Sequence, residues 1–235
     1  MSLIHGRWHD ARMAADHEEF DETRVAILMP SSGQRALANL ARDAIASFTG
    51  VPHDVLLLDH TPYPGCSSDA AHLRALETLR MALCGHSHVF LMHDDALPLR
   101  KGWLSLLLSK PGPAAAIVSH RSGRGQSAGT LFPMDIFRKM DLRPNLPAYD
   151  VAESVPAGWR ASMVAWRGPE SSSVWKLPAW MRDFDCDIAV DKHGGAFYAH
   201  LGGGTIGTPG GWGGSSAHDQ RIAAWIAAAR TGLGL

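Results

Sequence analysis

The run Val89-Phe-Leu-Met-His93-Asp94-Asp95-Ala-Leu-Pro98 places the tightest constraint on this chain. An apolar, strand-like segment stops at adjacent carboxylates. Lys101-Gly-Trp-Leu-Ser-Leu-Leu-Leu108 then reads as a helix. Two carboxylates at the end of a core strand repel each other, and partial burial penalises both charges. A divalent cation removes that penalty. Magnesium and manganese take oxygen ligands, commonly one or two carboxylates together with substrate phosphates. In open α/β sheets, ligands sit outside the carboxyl ends of the strands. The run therefore predicts a metal–phosphate site at the end of a central strand. The plainer alternative is an acidic turn that caps the next helix. The surrounding pattern favours the site.

That pattern is an alternation. Val25-Ala-Ile-Leu-Met29 is a short apolar run ended by Pro30-Ser-Ser-Gly33, a buried strand followed by a turn. Gln34 to Phe48 carries Leu37, Leu40, Ala41, Ala44, Ile45 and Phe48 at the spacing of an amphipathic helix. Val55-Leu-Leu-Leu58 is the next strand and ends at Asp59. A Pro/Gly/Ser loop leads into a helix over about 69–83, with Ser67 or Ser68 as a cap. Strand 88–92, a helix near 101–109 and strand 114–118 follow. Such an alternation predicts an α/β fold, a mostly parallel sheet with flanking helices, in a single domain.

Composition narrows the function classes. The chain has 235 residues, enough for one large α/β domain with a substantial core. With 22 basic and 23 acidic residues the formal charge is −1. No basic block stands out, so nucleic acid is not expected as a partner, because phosphate-backbone binding needs a concentrated positive patch. Cys66, Cys84 and Cys186 lie far apart, with neither disulfide nor zinc spacing, which fits a reducing compartment. The first ten residues hold no apolar signal segment, and no apolar run approaches a membrane span. A cytoplasmic protein with no transmembrane segment is the expectation.

The ends and the rear half are less regular. Residues 1–23 are polar, acidic over 16–22, and read as an N-terminal arm before a domain of 24–235. That domain divides into a nucleotide-binding front half, 24–119, and a less regular rear half, 120–235. Within the second half, 131–140 shows a short helical pattern, Ala196-Phe-Tyr-Ala-His200 reads as a strand, and 215–230 as a terminal helix. Eight glycines between 202 and 214 predict a mobile loop, with Trp212 as apolar cover if it closes as a lid. It lacks the Lys-Ser/Thr of a Walker motif. Trp159, Trp166, Trp175 and Trp180 crowd an irregular region, where core packing is the default role.

In order along the chain, these features resemble the family 2-like glycosyltransferases of GT-A fold. Phe90-Leu-Met-His-Asp-Asp-Ala-Leu-Pro98 with Trp103-Leu104 is similar to the family's Asp-x-Asp signature. Ala128-Gly-Thr-Leu-Phe-Pro-Met-Asp-Ile-Phe-Arg138 resembles its acceptor-side strand and helix, and Tyr198-Ala-His-Leu-Gly-Gly-Gly204 its late His-x-Gly-Gly element. The likeness covers 24–140 and fragments of 183–206, and it implies that the rear half, 120–235, is the acceptor half. It implies a nucleotide-diphosphate sugar as donor, with Pro30, Ser31 and Asp59 around the nucleoside and Arg74 near the diphosphate. It implies a divalent metal, manganese or magnesium, on Asp95 and His200. His93 stands where the motif's first acid belongs, so either Asp94 substitutes for it or His93 is itself a ligand. The acceptor, whether glycan, protein or small molecule, is not specified.

An inverting transfer also needs a carboxylate to deprotonate the acceptor hydroxyl. Asp150 and Glu153 offer one cluster; Asp183, Asp185 and Asp187 offer another, which resembles the family's Glu-Asp-x-Asp motif with Phe184 in place of its first Glu. Asp185 is favoured and Asp150 is its rival. Two other readings remain open: a nucleotidyltransferase-like enzyme of similar fold, disfavoured by the single Gly and single Arg of Pro30-Ser-Ser-Gly-Gln-Arg35, and a non-catalytic nucleotide- or sugar-binding module.

Overall fold

Strand β1, Val25–Ser31, is buried along its whole length, and this organises the molecule. Side chains on a strand alternate between faces. Val25, Ile27 and Met29 join one apolar cluster with Leu37, Leu40, Ala41, Ala44 and Ile45 of helix α1, Arg35–Phe48. Ala26 and Leu28 point the other way, to Leu73, Leu76 and Leu79 of α2, Ser68–Met81. A strand covered on both faces carries no polar alternation, which is why it reads as an unbroken apolar run. The computed structural model describes residues 23–31, 34–59, 68–110, 115–118, 125–140, 162–164, 176–202 and 216–235.

On either side of β1 lie β2, His53–Asp59, and β3, His88–Leu91, both parallel to it. The remaining strands of this sheet are β5, Ala115–Val118, β6, Gly125–Pro133, and β7, Ser162–Val164. The strand order is β2-β1-β3-β6-β5-β7. The expected α/β architecture, a mainly parallel sheet flanked by helices, is thus present. One detail departs from simple alternation. β6 inserts between β3 and β5 and runs antiparallel to both. Only residues 119–124 separate β5 from β6, and a parallel return needs a crossover of a dozen or more residues. The helical pattern within 131–140 begins at its Pro133 start, and the residues before it belong to the sheet. β6 continues through Pro133, and α4 covers Met134–Lys139.

A second, three-stranded antiparallel sheet lies on the α1 side, in the order β4-β9-β8. It comprises β4, Ala96–Pro98, β8, Asp187–Val190, and β9, Ala196–His200. The β8–β9 turn is fixed by Asp191, whose Oδ1 accepts from the His193 and Gly195 N–H groups at 2.7 and 2.9 Å. Arg100, just past β4, donates to the other oxygen at 2.6 Å. Burial pushes the Asp191 carboxyl up, but these donors outweigh it and hold it below its ordinary value. Gly194 takes the left-handed conformation the turn requires, φ +75°.

Aromatic packing locks the two sheets together. Trp103, the first residue of α3, Trp103–Leu108, stacks on Tyr198 of β9 with centroids 5.6 Å apart. Phe90 of β3 meets both rings edge-on, at 5.0 and 5.7 Å. The polar tips are satisfied: Trp103 Nε1 donates to Thr49 Oγ1 at 2.9 Å, and the Tyr198 hydroxyl donates to the Ala128 carbonyl at 2.6 Å. On the far side Trp180 and Phe184 pack edge-on against Trp225 of the terminal helix α5, Ser216–Leu233. Trp180 is therefore a packing residue, as expected; Trp159, Trp166 and Trp175 lie outside the described residues. No described helix is long and apolar enough to cross a membrane.

Trp103 carries the junction, so its truncation should be expensive. Trp103→Ala is expected to lower stability by about 3–5 kcal/mol, the range for deleting a buried aromatic. Urea unfolding followed by far-UV circular dichroism measures this. Trp103→Phe should recover more than half of the loss, because it keeps the ring contacts and gives up only the indole hydrogen bond.

A candidate metal centre at the ends of β3 and β9

The chain leaves β3 at Leu91, and the Met92 N–H still donates to the Leu28 carbonyl of β1 at 3.0 Å. The next three residues form the turn into β4, which places His93, Asp94 and Asp95 at the carboxyl edge of the parallel strands. Asp94 and Asp95 are buried, at 0% and 1% exposure. Ser31 and Asp59 end β1 and β2 and are direct partners in that parallel pair. Ser31, also buried, donates from Oγ to Asp94 Oδ2 at 2.7 Å. Three sequence-predicted residues, Ser31, Asp59 and Asp94, therefore share one edge of the sheet. Pro30 sits one residue earlier in β1, opposite Leu58. Arg74 is exposed on α2.

His200 reaches the same place from the other sheet. It is the last residue of β9, paired with Ala96 of β4 on one side and Asp187 of β8 on the other. The Leu201 N–H donates to the Asp95 carbonyl at 3.0 Å, so the backbone that carries Asp95 is tied to the backbone that carries His200. The side chains meet accordingly. His200 Nε2 lies 3.2 Å from Asp95 Oδ1, in ion-pair range but without hydrogen-bond alignment. His93 Nδ1 lies 4.0 Å from the same oxygen, and the two imidazole rings cross at 5.4 Å. One ligand atom from each of His93, Asp95 and His200 falls within 4.8 Å of the others.

His93 is the group that lies beside Asp95 and His200, while Asp94 accepts from Ser31. The fold also brings in Asp187, which stood in the sequence only as one acid of a cluster. Asp187 is buried and its Oδ2 lies 3.4 Å from His200 Nδ1, whereas the favoured base Asp185 is exposed. The backbone carbonyl of Asp185 is held at 2.8 Å by Arg221 of α5, which also donates to the carbonyls of Leu201 and Gly202. A signal for the hairpin existed: Asp191-Lys-His-Gly-Gly195 is a turn between two apolar runs, which pairs Asp187 with the strand of His200. Asp150 and Trp212 lie outside the described residues.

The electrostatics are those of a cation site. Burial works against the charged form of His200, but the Asp95 and Asp187 carboxylates outweigh it and raise the imidazole to about 10. Tyr198 is raised as well, which for a phenol favours the neutral form: burial, with Asp95 nearby, pushes it well above the usual value. Buried carboxylates are found paired or bound to metal. Two imidazoles and a carboxylate around one point form a set that divalent transition metals accept. The residues present thus fit a metal ion, which His93, Asp95 and His200 could hold.

No family model matches the chain, and no curated protein matches it. Among solved structures it is similar to the mannosyltransferase PcManGT from Pyrobaculum calidifontis in complex with GDP-Man and Mn2+, at 16% identity and TM-score 0.47, over 60% of this chain and 55% of that one. It is also similar to the catalytic domain of Drosophila beta1,4-galactosyltransferase 7 in complex with xylobiose, at 14% identity and TM-score 0.42, over 60% and 64%. A third is a glycosyltransferase involved in glycosylation of the major capsid of PBCV-1, at 13% identity and TM-score 0.37, over 48% and 62%. The chain spans less than two thirds of the length of each, and the reading of the site rests on its own residues.

Metal uptake at His200 must displace a proton, because a ligating imidazole is neutral. Without metal, the raised value means that His200 stabilises the fold in full below its ordinary value near 6.5, and that this contribution fades as pH rises toward about 10. Metal affinity should run the opposite way, rising about tenfold per pH unit across the same window. Titration calorimetry with Mn2+ in two buffers of different ionisation enthalpy should report about one proton released from this group. Affinity independent of pH between 6 and 8 would show that His200 is not a ligand.

Proposed function

We propose that this chain is a metal-dependent glycosyltransferase of GT-A type, which moves a sugar from a nucleotide-diphosphate donor to an acceptor hydroxyl. The observation that carries the reading is the convergence of His93, Asp95 and His200 at the carboxyl edge of β3, next to the ends of β1 and β2. A bound metal would supply charge neutralisation to the departing diphosphate. The chain's own residues do the rest. His93, Asp95 and His200 hold the ion; Ser31 holds Asp94 in place beside them; Asp59, at the end of β2, meets the nucleoside. The imidazoles favour Mn2+ over Mg2+, which prefers an all-oxygen shell.

Transfer with inversion follows from a carboxylate placed on the acceptor side. Asp185 takes that role in this reading. It is exposed at the rim, two residues before Asp187, with its backbone fastened by Arg221. Asp150 is the rival. In either case the carboxylate accepts the acceptor's hydroxyl proton as the new bond forms, and the sugar leaves the diphosphate on the opposite face. The reading takes the donor sugar as a hexose; the acceptor is a glycan, a protein or a small molecule.

The first test is binding. A thermal-shift screen of nucleotides and nucleotide sugars should show stabilisation by one nucleotide class only when Mn2+ is present. The isosteric pair Asp94→Asn plus Asp95→Asn should abolish that shift and lower the metal-free stability, since His200 loses its buried partner. Unchanged metal-dependent affinity in the double variant would falsify the assignment.

Roles within the site separate by kinetics. Asp185→Asn should keep donor affinity and cut turnover by about a hundredfold or more, the scale of general-base loss. Asp59→Ala should weaken the free nucleotide and the nucleotide sugar by similar factors. If Asp185→Asn turns over normally and an Asp150 variant does not, the base is Asp150. A protein that binds donor and metal yet transfers and hydrolyses nothing is a binding module.

A further inference from the structure

We infer that Asp187 is a positioning residue for the metal site, whose carboxylate fixes His200 in the tautomer that carries its proton on Nδ1 and presents the Nε2 lone pair beside Asp95. This rests on the metal-site reading given above and concerns a residue that the reading does not use.

The two ring nitrogens of His200 face different carboxylates. Nδ1 lies 3.4 Å from Asp187 Oδ2, and Nε2 lies 3.2 Å from Asp95 Oδ1. Both acids and the ring are buried, so water is not the default partner on either side. A neutral imidazole donates from one nitrogen and offers a lone pair at the other. If Nε2 binds the ion, Nδ1 must carry the proton, and a carboxylate oxygen is the acceptor that suits it. The opposite tautomer would set a nitrogen lone pair against a carboxylate oxygen and turn an N–H toward the metal. Metal-bound histidines commonly donate their second ring nitrogen to a carboxylate in this way, and loss of that partner typically weakens metal binding tenfold to a hundredfold.

The fold holds Asp187 in place for this. Asp187 and His200 are direct partners in the β8–β9 ladder, and the Asp191 turn fixes that register. A one-residue slip would move Asp187 to the opposite face of the sheet. The group that converges on a single point contains His93, Asp95 and His200, which leaves Asp187 behind the ring. Asp185, two residues earlier, is exposed.

Titration calorimetry with Mn2+ and with Zn2+ compares the wild type with Asp187→Ala, Asp187→Asn and Asp187→Leu. Asp187→Ala should lose about ten- to a hundredfold in affinity. Asp187→Asn keeps an acceptor oxygen of the same shape and should recover most of that loss, whereas Asp187→Leu, which fills the space without an acceptor, should not. Nitrogen-15 spectra of His200 in the Zn2+-loaded wild type should show a protonated Nδ1 and a metal-bound Nε2. This measurement decides the matter even if Asp187→Ala does not fold. Zn2+ on Nδ1, or Ala and wild-type affinities within twofold of each other, overturns the role of Asp187 alone. A wild type that takes up neither metal overturns the metal-site reading together with this inference.

Discussion

Asp95 is the group that the sheet and the site both depend on. Its side chain is buried at the end of a central strand, and its carbonyl accepts the Leu201 N–H that joins β9 to the β4 turn. A carboxylate that far from water stays ionised only with positive charge in reach, and removal of one member of a buried pair is far more damaging than replacement of both. Without metal, His200 provides that charge, which is why its imidazole holds a proton to about 10. An ion held here, as proposed, would take the place of that proton and leave the ring neutral. The contact between these two side chains requires β4 and β9 to stay in register.

That requirement explains the weight of aromatic packing behind the site. Tyr198 lies two residues before His200 on β9, and its ring is enclosed by Trp103 and Phe90. Its hydroxyl reaches across to Ala128 of β6, so one side chain touches the parallel sheet, the small sheet and the helix between them. A metal site tolerates little displacement of its ligands. Here the stiffness comes from large rings in van der Waals contact and from ladder hydrogen bonds, neither of which needs the ion. Arg221 adds a polar clasp at the rim, from α5 to the carbonyls that follow His200 and precede Asp187.

The front half of the fold was legible because its elements are governed by local pattern. β1, α1, β2, α2, β3 and α3 lie where apolar runs and helical spacing put them, and so do β5, β9 and α5. The metal group was legible in part, since an Asp-Asp turn after a buried strand carries its own physical argument and His200 ended a clear strand. What escaped has a common cause. β4 has three residues and begins immediately after two acids, so its extended form depends on pairing with β9 and not on its own sequence. β8 begins inside the acidic cluster 183–187, and the extended form of Asp187-Ile-Ala-Val190 depends on its pairing with β9. The antiparallel β6 required counting the short β5–β6 connection. In each case tertiary pairing decided the conformation.

The acidic cluster shows why residue type alone could not assign the site. Asp183, Asp185 and Asp187 are chemically the same, separated by Phe184 and Cys186, and within that segment no carboxylate is distinguished from another. The fold distinguishes them by burial. Phe184 goes under Trp225 and Cys186 into the core, which anchors the segment at both apolar positions. Asp183 and Asp185 are left in solvent, while Asp187, at the first rung of β8, is carried inside against His200. The difference in setting between these aspartates, one exposed and one buried against an imidazole, is therefore a consequence of two apolar side chains and one strand start, which only the folded chain brings to bear on them.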